Sequence, residues 1–400
     1  MICDSAAVSF GAVGTLVAVS ANCLGDIANE EFVSNLSLWT AVPHAIMGVF
    51  VPFIAVAVMC LFFSKKHSIK PALQVLPFAI FAGLCFSVPY TLISALFGYK
   101  FPSLLGALIG LPITVVAAKK GFLVPKEVWT FDDESEWDPS WKSVVKPESQ
   151  ADSNLSLVRA WIPYVIIAVA LVLTRLPALG LKNLLSSNPI LAIHFPRLFG
   201  VENTSYTLKW AYLPGMIFIL IALITIWLHK VDWQKVKAAW SDSFKQISGA
   251  TVAIIFGLAL VQIMRYSGSN DINDPGTKSM IFYMAEALSK AGKSLYLLFS
   301  PIIGILGAFV SGSNTVSNTL FTNLQYQSAM NLDLNGAIIV AMQCIGGAIG
   351  NMICVNNTVA VCATVGTPGK EGKIIRINFI PMLLYLVVTV IVMAVAMAFV

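Results

Sequence analysis

Apolar runs of membrane-spanning length recur along this chain and leave few alternatives to a helical membrane fold. The clear ones are 38–63, 72–97, 101–118, 159–176, 209–228, 248–265 and 376–400, each bounded by charge, proline or glycine. A helix needs roughly 20 mostly apolar residues to cross the hydrocarbon core of a bilayer. Pro43, Pro52, Pro77, Pro89, Pro112 and Pro163 lie inside these runs, which neighbouring helices tolerate in a bilayer. Charged residues are 11% of the chain and hydrophobic ones 57%, whereas soluble domains carry about a quarter charged residues. The net charge of +5 therefore reflects Lys and Arg at membrane boundaries, and nucleic acid is not an expected partner. The seven cysteines are scattered without metal or disulfide spacing, so most are expected to be small core residues. With no Ser/His/Asp set, P-loop, HExxH or CxxC, neither an enzyme nor a cofactor or metal is expected. No cleavable leader is expected either, since Asp4 follows Met1 without a basic stretch entering an apolar core.

Basic connections orient the spans. Segments 64–71, 119–120, 229–237 and 370–376 carry the Lys and Arg and are expected on the cytoplasmic side. Segments 22–37, 98–100, 177–208 and 266–294 then face the other side. This alternation fails after 248–265 if 295–311 and 336–365 are both simple crossings, because Lys370 would emerge on the wrong side. A re-entrant hairpin resolves the count. Residues 295–311 descend, the chain turns near Ser311–Ser317, and 318–330 return. The crossing 336–365 is itself interrupted by Asn351, Asn356, Asn357 and Thr358.

The expected fold is thus an all-α polytopic membrane protein with discontinuous helices. Segment 5–15 (SAAVSFGAVGT) echoes 357–367 (NTVAVCATVGT) in the opposite membrane direction, sharing the final Val-Gly-Thr. Such pairs mark inverted-repeat secondary transporters. The expected division is 1–118, the rest of a first repeat with following helices; 119–158, a cytoplasmic polar loop; and 159–400, a second repeat holding the hairpin 295–330 and the broken helix 336–365.

Candidate site residues fall at the two interruptions. Ser311, Gly312, Ser313, Asn314, Thr315, Ser317 and Asn318 form the densest run of small polar residues at membrane depth. Asn351, Asn356, Asn357 and Thr358 follow the glycines of IGGAIGN. Half-helix N-termini carry about half a positive charge and unpaired N–H groups suited to a carboxylate. Hydroxyls and amides add donors without the cost of a buried full charge. Interhelical hydrogen bonding and close packing are the competing readings for both clusters. Ser9 belongs to the first repeat element. Asp4 and Asn314 are the candidates for ion coupling, and Arg175 for facing a carboxylate, although snorkelling to the interface also accounts for Arg175 and Arg265. His44 reads as a hydrogen-bonded packing residue.

Residues 306–325 (LGAFVSGSNTVSNTLFTNLQ) and 344–376 (CIGGAIGNMICVNNTVAVCATVGTPGKEGKIIR) resemble the lactate permease family, as do LVLTRLP (171–177), KWAYLPG (209–215) and VSFGAVGT (8–15). The resemblance implies uptake of L-lactate, glycolate or a related 2-hydroxy monocarboxylate by proton symport through the cytoplasmic membrane of a prokaryote. Where the family has Asp, this chain has Asn314; where it has Lys, this chain has Asn351; and Cys354, Val355 and Asn356 replace Ser-Pro-Gln. Each charge becomes a neutral amide, so a neutral hydrogen-bonding site is expected. Family members also carry helices ahead of VSFGAVGT, so the chain is expected to be N-terminally shortened. The expected partners are a small organic anion, a coupling cation (H⁺ or Na⁺), the lipid bilayer and a second copy in a homodimer. A Na⁺-coupled carrier of another organic anion and a non-transporting membrane fragment are the alternatives.

Overall fold

A computed structural model describes residues 1–11, 13–64, 67–127, 129–131, 133, 135, 137, 156–176, 179–196, 206–268, 276–290, 292–365, 367 and 369–399. The side chain of Arg265 lies outside this set, as does most of the expected 119–158 loop. In chain order the helices are α1 (Ser5–Val8), α2 (Thr15–Leu24), α3 (Glu30–Phe62), α4 (Lys70–Phe97), α5 (Pro102–Lys119), α6 (Leu157–Arg175) and α7 (Leu181–Ser187). A two-stranded hairpin, β1 (Ile193–Phe195) and β2 (Tyr206–Leu208), precedes α8 (Pro214–Leu228), α9 (Trp233–Arg265), α10 (Met280–Ser289), α11 (Lys293–Ser311) and α12 (Asn314–Asn331). The last three are α13 (Gly336–Gly350), α14 (Val355–Thr364) and α15 (Glu371–Phe399).

Among the described residues, six helical stretches are long and apolar enough to cross a membrane: α3, α4 with the turn after it, α5, α6, α13–α14 and α15. One expected span and one expected connection differ. The run 209–228 forms a 3₁₀ turn at Trp210–Tyr212 and then a helix of 15 residues, because Pro214 is favoured at a first helical turn and starts α8 there. The basic segment 229–237 is mostly helical: α9 begins at Trp233 and runs 33 residues. Asp232 starts that helix by accepting a hydrogen bond from Gln234 N at 2.7 Å.

The chain forms two compact units, Met1–Pro147 with Val252–Val400 and Glu148–Thr251. In the second, α6 packs on α8. Arg159 donates from Nε to the Leu228 carbonyl at 3.1 Å, and the His229 ring lies 2.9 Å from the Arg159 carbonyl. β1 and β2 pair antiparallel with His194 opposite Thr207.

The first unit is organised around α13. Its sequence GAIIVAMQCIGGAIG is apolar all round, the pattern of a helix meant for complete burial, and all 15 of its residues are buried. α3, α11, α12 and α15 pack against it. Small residues bring α11 and α13 backbone to backbone, as membrane helices do where no hydrophobic drive separates lipid from protein. A side chain at Gly346 would meet the main chain of Pro301, and one at Gly304 the carbonyl of Gln343 and the amide of Gly347. By contrast Gly372, in α15, faces open space.

Overpacking of this kind costs about 1–3 kcal/mol or more. Gly346→Leu is therefore expected to lower the thermal midpoint of the purified protein by several degrees, while Gly372→Ala leaves it within one degree. Equal midpoints in a fluorescence melting assay would contradict the close α11–α13 contact.

Candidate functional site

Two interrupted helices meet in the first unit. The first interruption is narrower than the sequence suggests. α11 continues to Ser311, Gly312 takes a left-handed conformation (φ 77°), and Ser313 caps α12, which starts at Asn314. The Ser313 side chain accepts from Val316 N at 3.4 Å, and Ser311 Oγ donates to the Gly307 carbonyl at 2.6 Å. With both ends satisfied by side chains, two residues suffice for the turn. The paired contacts Tyr296–Gln325 and Gly304–Ser317 make α11 and α12 an antiparallel hairpin.

The second interruption spans 351–354, between α13 and α14. Asn356, Asn357 and Thr358 lie not in the break but in the first turn of α14. Helical geometry resumes there because Thr358 Oγ1 donates to the Cys354 carbonyl at 2.7 Å and its N–H bonds the same carbonyl at 3.1 Å. From α15, Asn378 Nδ2 donates to the Met352 carbonyl at 2.9 Å, so one carbonyl freed by the break is satisfied. The hairpin tip rests on this region: a Cβ at Gly312 would run into the Asn356 side chain.

Behind the tip lies a ladder of neutral polar groups. Tyr296 Oη donates to Gln325 Oε1 (2.8 Å). Gln325 Nε2 donates to the Ser300 carbonyl (2.9 Å) and to Gln343 Oε1 (2.9 Å). Gln343 Nε2 donates to Ser317 Oγ (3.0 Å), with Asn318 Oδ1 at 3.5 Å, and Ser317 Oγ donates to the Gly304 carbonyl (2.9 Å). Asn314 Nδ2 reaches the Cys344 carbonyl at 3.4 Å. Its Oδ1 points at the space Gly347 leaves by lacking a side chain. Asn314 Oδ1, Asn318 Nδ2 and Asn351 Oδ1 are buried atoms without a hydrogen-bond partner in the structure. Unmade hydrogen bonds of this kind cost about 1–3 kcal/mol each.

The structure thus places Gly312 of the hairpin tip against Asn356 and packs Asn314, Ser317 and Asn318 against α13, while Ser311, Ser313 and Thr315 lie at the tip itself. Asn314, Ser317, Asn318 and Thr358 are buried, Asn351 and Asn357 are half-buried, and Asn356 is exposed. Ser9 is buried in the turn between α1 and α2, with Oγ 2.6 Å from His44 Nε2. Asp4 is exposed ahead of α1. Arg175 belongs to the second unit, where it donates to the Tyr212 carbonyl (2.8 Å) and lies 3.8 Å over the Tyr212 ring. Gln325, Gln343, Tyr296 and Asn378 escape the sequence reading. Gln343 is the one amide in an otherwise apolar α13, and that isolation was the available signal. A cavity of about 340 Å³ opens at the far end of α12 and α13, lined by Asn29, Asn35, Tyr326 and Asn335 among others, and touches neither interruption. The segments 5–15 and 357–367 both contain short helix ahead of Val-Gly-Thr; Gly366 in the second lies outside the described residues.

Spanning helices packed round a buried, interrupted pair with a neutral polar lining define a polytopic membrane protein with discontinuous core helices. The L-lactate permease family model matches residues 1–400. The chain belongs to the lactate permease family. It is 29% identical to a Haemophilus influenzae protein named "Putative L-lactate permease", over 96% of this chain and 69% of that one. It is 24% identical to the L-lactate permease of Bacillus subtilis and 25% to the glycolate permease GlcA of Escherichia coli, each over 94% of this chain and 66% of the relative. The chain therefore spans about two thirds of the length of these relatives. No solved structure matches it.

Gln343→Leu removes the centre of the ladder and takes one hydrogen-bond partner from each of Gln325 and Ser317, at an expected cost of about 1–3 kcal/mol. Adding Gln325→Leu should cost less than the sum of the two single changes, because contacting residues in one network do not add. Strict additivity in denaturation of the four proteins would show that the two amides act independently.

Proposed function

We propose that this chain is the substrate-handling part of a secondary carrier that moves a small 2-hydroxy monocarboxylate, lactate or glycolate, across the cytoplasmic membrane of a prokaryote with a proton as coupling ion. The names and bacterial sources of its relatives support the substrate class and the membrane. The observation that carries the reading is the set of unpartnered amide atoms where the hairpin tip meets the helix break. An acceptor at Asn314 Oδ1 suits a donating hydroxyl. A donor at Asn318 Nδ2, together with the N-termini of α12 and α14, suits a carboxylate. A 2-hydroxy acid offers both groups within one small molecule, and binding would repay the cost of leaving those atoms unpaired. Neutral recognition also accommodates Asn314 and Asn351 as a matched pair of amides. The echo between 5–15 and 357–367 supports an inverted repeat in which Ser9 lies opposite the second break.

Asn314→Ala or Asn357→Ala should reduce lactate uptake at least tenfold while membrane abundance stays within about twofold. Parallel losses of uptake and abundance would assign these residues to folding instead. In proteoliposomes an inward proton gradient should accelerate uptake, and rates indifferent to the gradient would remove the proton from the proposal.

A further inference from the structure

His44 is buried completely on α3, within hydrogen-bonding distance of two hydroxyls. Ser9 Oγ lies 2.6 Å from Nε2 and Tyr385 Oη 2.5 Å from Nδ1. A hydroxyl can donate or accept, so these two partners serve a neutral imidazole and, by rotating one O–H, an imidazolium that donates from both nitrogens. The surroundings continue this character. Thr40 precedes His44 by one turn of α3, and Thr389 follows Tyr385 by one turn of α15. Ser87 lies against Gly48, one turn beyond His44. All three hydroxyls are buried without a hydrogen-bond partner in the structure. Further along the same face, Ser37 and Ser94 pair at 2.8 Å. Unpaired hydroxyls in an apolar core are costly, and a track of them beside the only buried imidazole among the described residues is what a proton needs to reach that ring.

We propose that His44 is the proton-binding site of the carrier, reached along this track of hydroxyls; the proposal rests on the carrier reading above. One proton adds to the unprotonated ring nitrogen, no other bond changes, and on release it leaves to water on the opposite side. The hydrogen-bond partners of His44 are both uncharged. On the elements packed against α3, Tyr385 faces it directly, Tyr90 of α4 is committed to the Ala6 carbonyl, Cys344 of α13 lies against Ser20, and Asp4 ahead of α1 is exposed. An imidazolium here consequently lacks a counter-charge, and an arriving carboxylate supplies one. α15 ties the two sites together: Asn378, which holds the Met352 carbonyl at the break, and Tyr385 lie seven residues apart on one buried face, about 10 Å along the axis. A unit charge of opposite sign about 10 Å from the ring would shift its protonation equilibrium on the order of tenfold at an effective dielectric of about 20. Proton and anion would thereby each promote binding of the other, which is the requirement for symport.

The test is proton uptake on addition of L-lactate to purified protein in weak buffer with a pH indicator, alongside lactate affinity measured from pH 5 to 8. Wild-type protein is expected to take up a proton fraction of at most about one half per lactate bound, with affinity weakening by about tenfold in all as the ring passes from protonated to unprotonated. His44→Gln is expected to take up none and to bind with affinity independent of pH. Wild-type proton uptake in His44→Gln overturns the proposal. If that variant does not fold, Tyr385→Phe, which removes one acceptor for the imidazolium, must displace the pH profile to lower pH, and an unmoved profile overturns the proposal. Binding by the wild type without proton uptake rejects His44 and leaves the carrier reading standing. Binding of neither lactate nor glycolate rejects the carrier reading and this proposal with it.

Discussion

The hydrogen bond between the Gln325 and Gln343 amides joins a polar helix to an apolar helix that is buried on every side, and the candidate site depends on that union. α12 carries Asn314, Ser317, Asn318, Thr322, Gln325 and Ser328 in buried positions, a composition that has no independent reason to stay inside a membrane. α13 is buried on every side and offers one amide. Interhelical hydrogen bonds in membranes average only about 0.6 kcal/mol each, so the ladder stabilises modestly. What it does is specify one rotation of α12 about its axis, which turns Asn314 and Asn318 towards Gly347. The backbone contact at Gly304 and Gly346 sets the depth to which α11 sinks against α13, and the hairpin follows.

That arrangement leaves polar atoms unpaired where two helix N-termini converge. A protein that only needed to fold would pair them or replace them with apolar groups, since a buried amide without partners is worse than none. In the proposed carrier, neutral groups at such a place would bind an anion through dipoles and hydrogen bonds and release it without breaking an ion pair. In the same proposal the Ser9–His44–Tyr385 cluster would supply the proton site, since its hydroxyl partners suit either protonation state of the imidazole.

Much of this was legible in the sequence for simple physical reasons. Hydropathy over bilayer-length windows located α3, α4, α5, α6 and α15 because a span must be apolar along its length. Counting basic connections pointed to an interruption near 311–317, and the polar residues Asn351, Asn356, Asn357 and Thr358 inside an apolar crossing pointed to another. The details were not legible where they depend on contacts. The turn shrinks to Gly312–Ser313 through local caps, which extend α11 and α12 towards each other. Asn356 and Asn357 read as part of the break, yet Thr358 bonds back to Cys354 and makes them helical. Gln325 and Gln343, 18 positions apart, show nothing in sequence of their pairing. α9 starts early because Asp232 caps it, which the charge pattern of 229–237 concealed.

The most direct test of the account is an experimental structure determined with L-lactate bound. The carboxylate should lie within hydrogen-bond distance of Asn318 or of the N-terminal amides of α12 or α14, with the hydroxyl donating to Asn314 Oδ1. Lactate bound elsewhere, with these amides still unpaired, would contradict the claim that the two interruptions form the site.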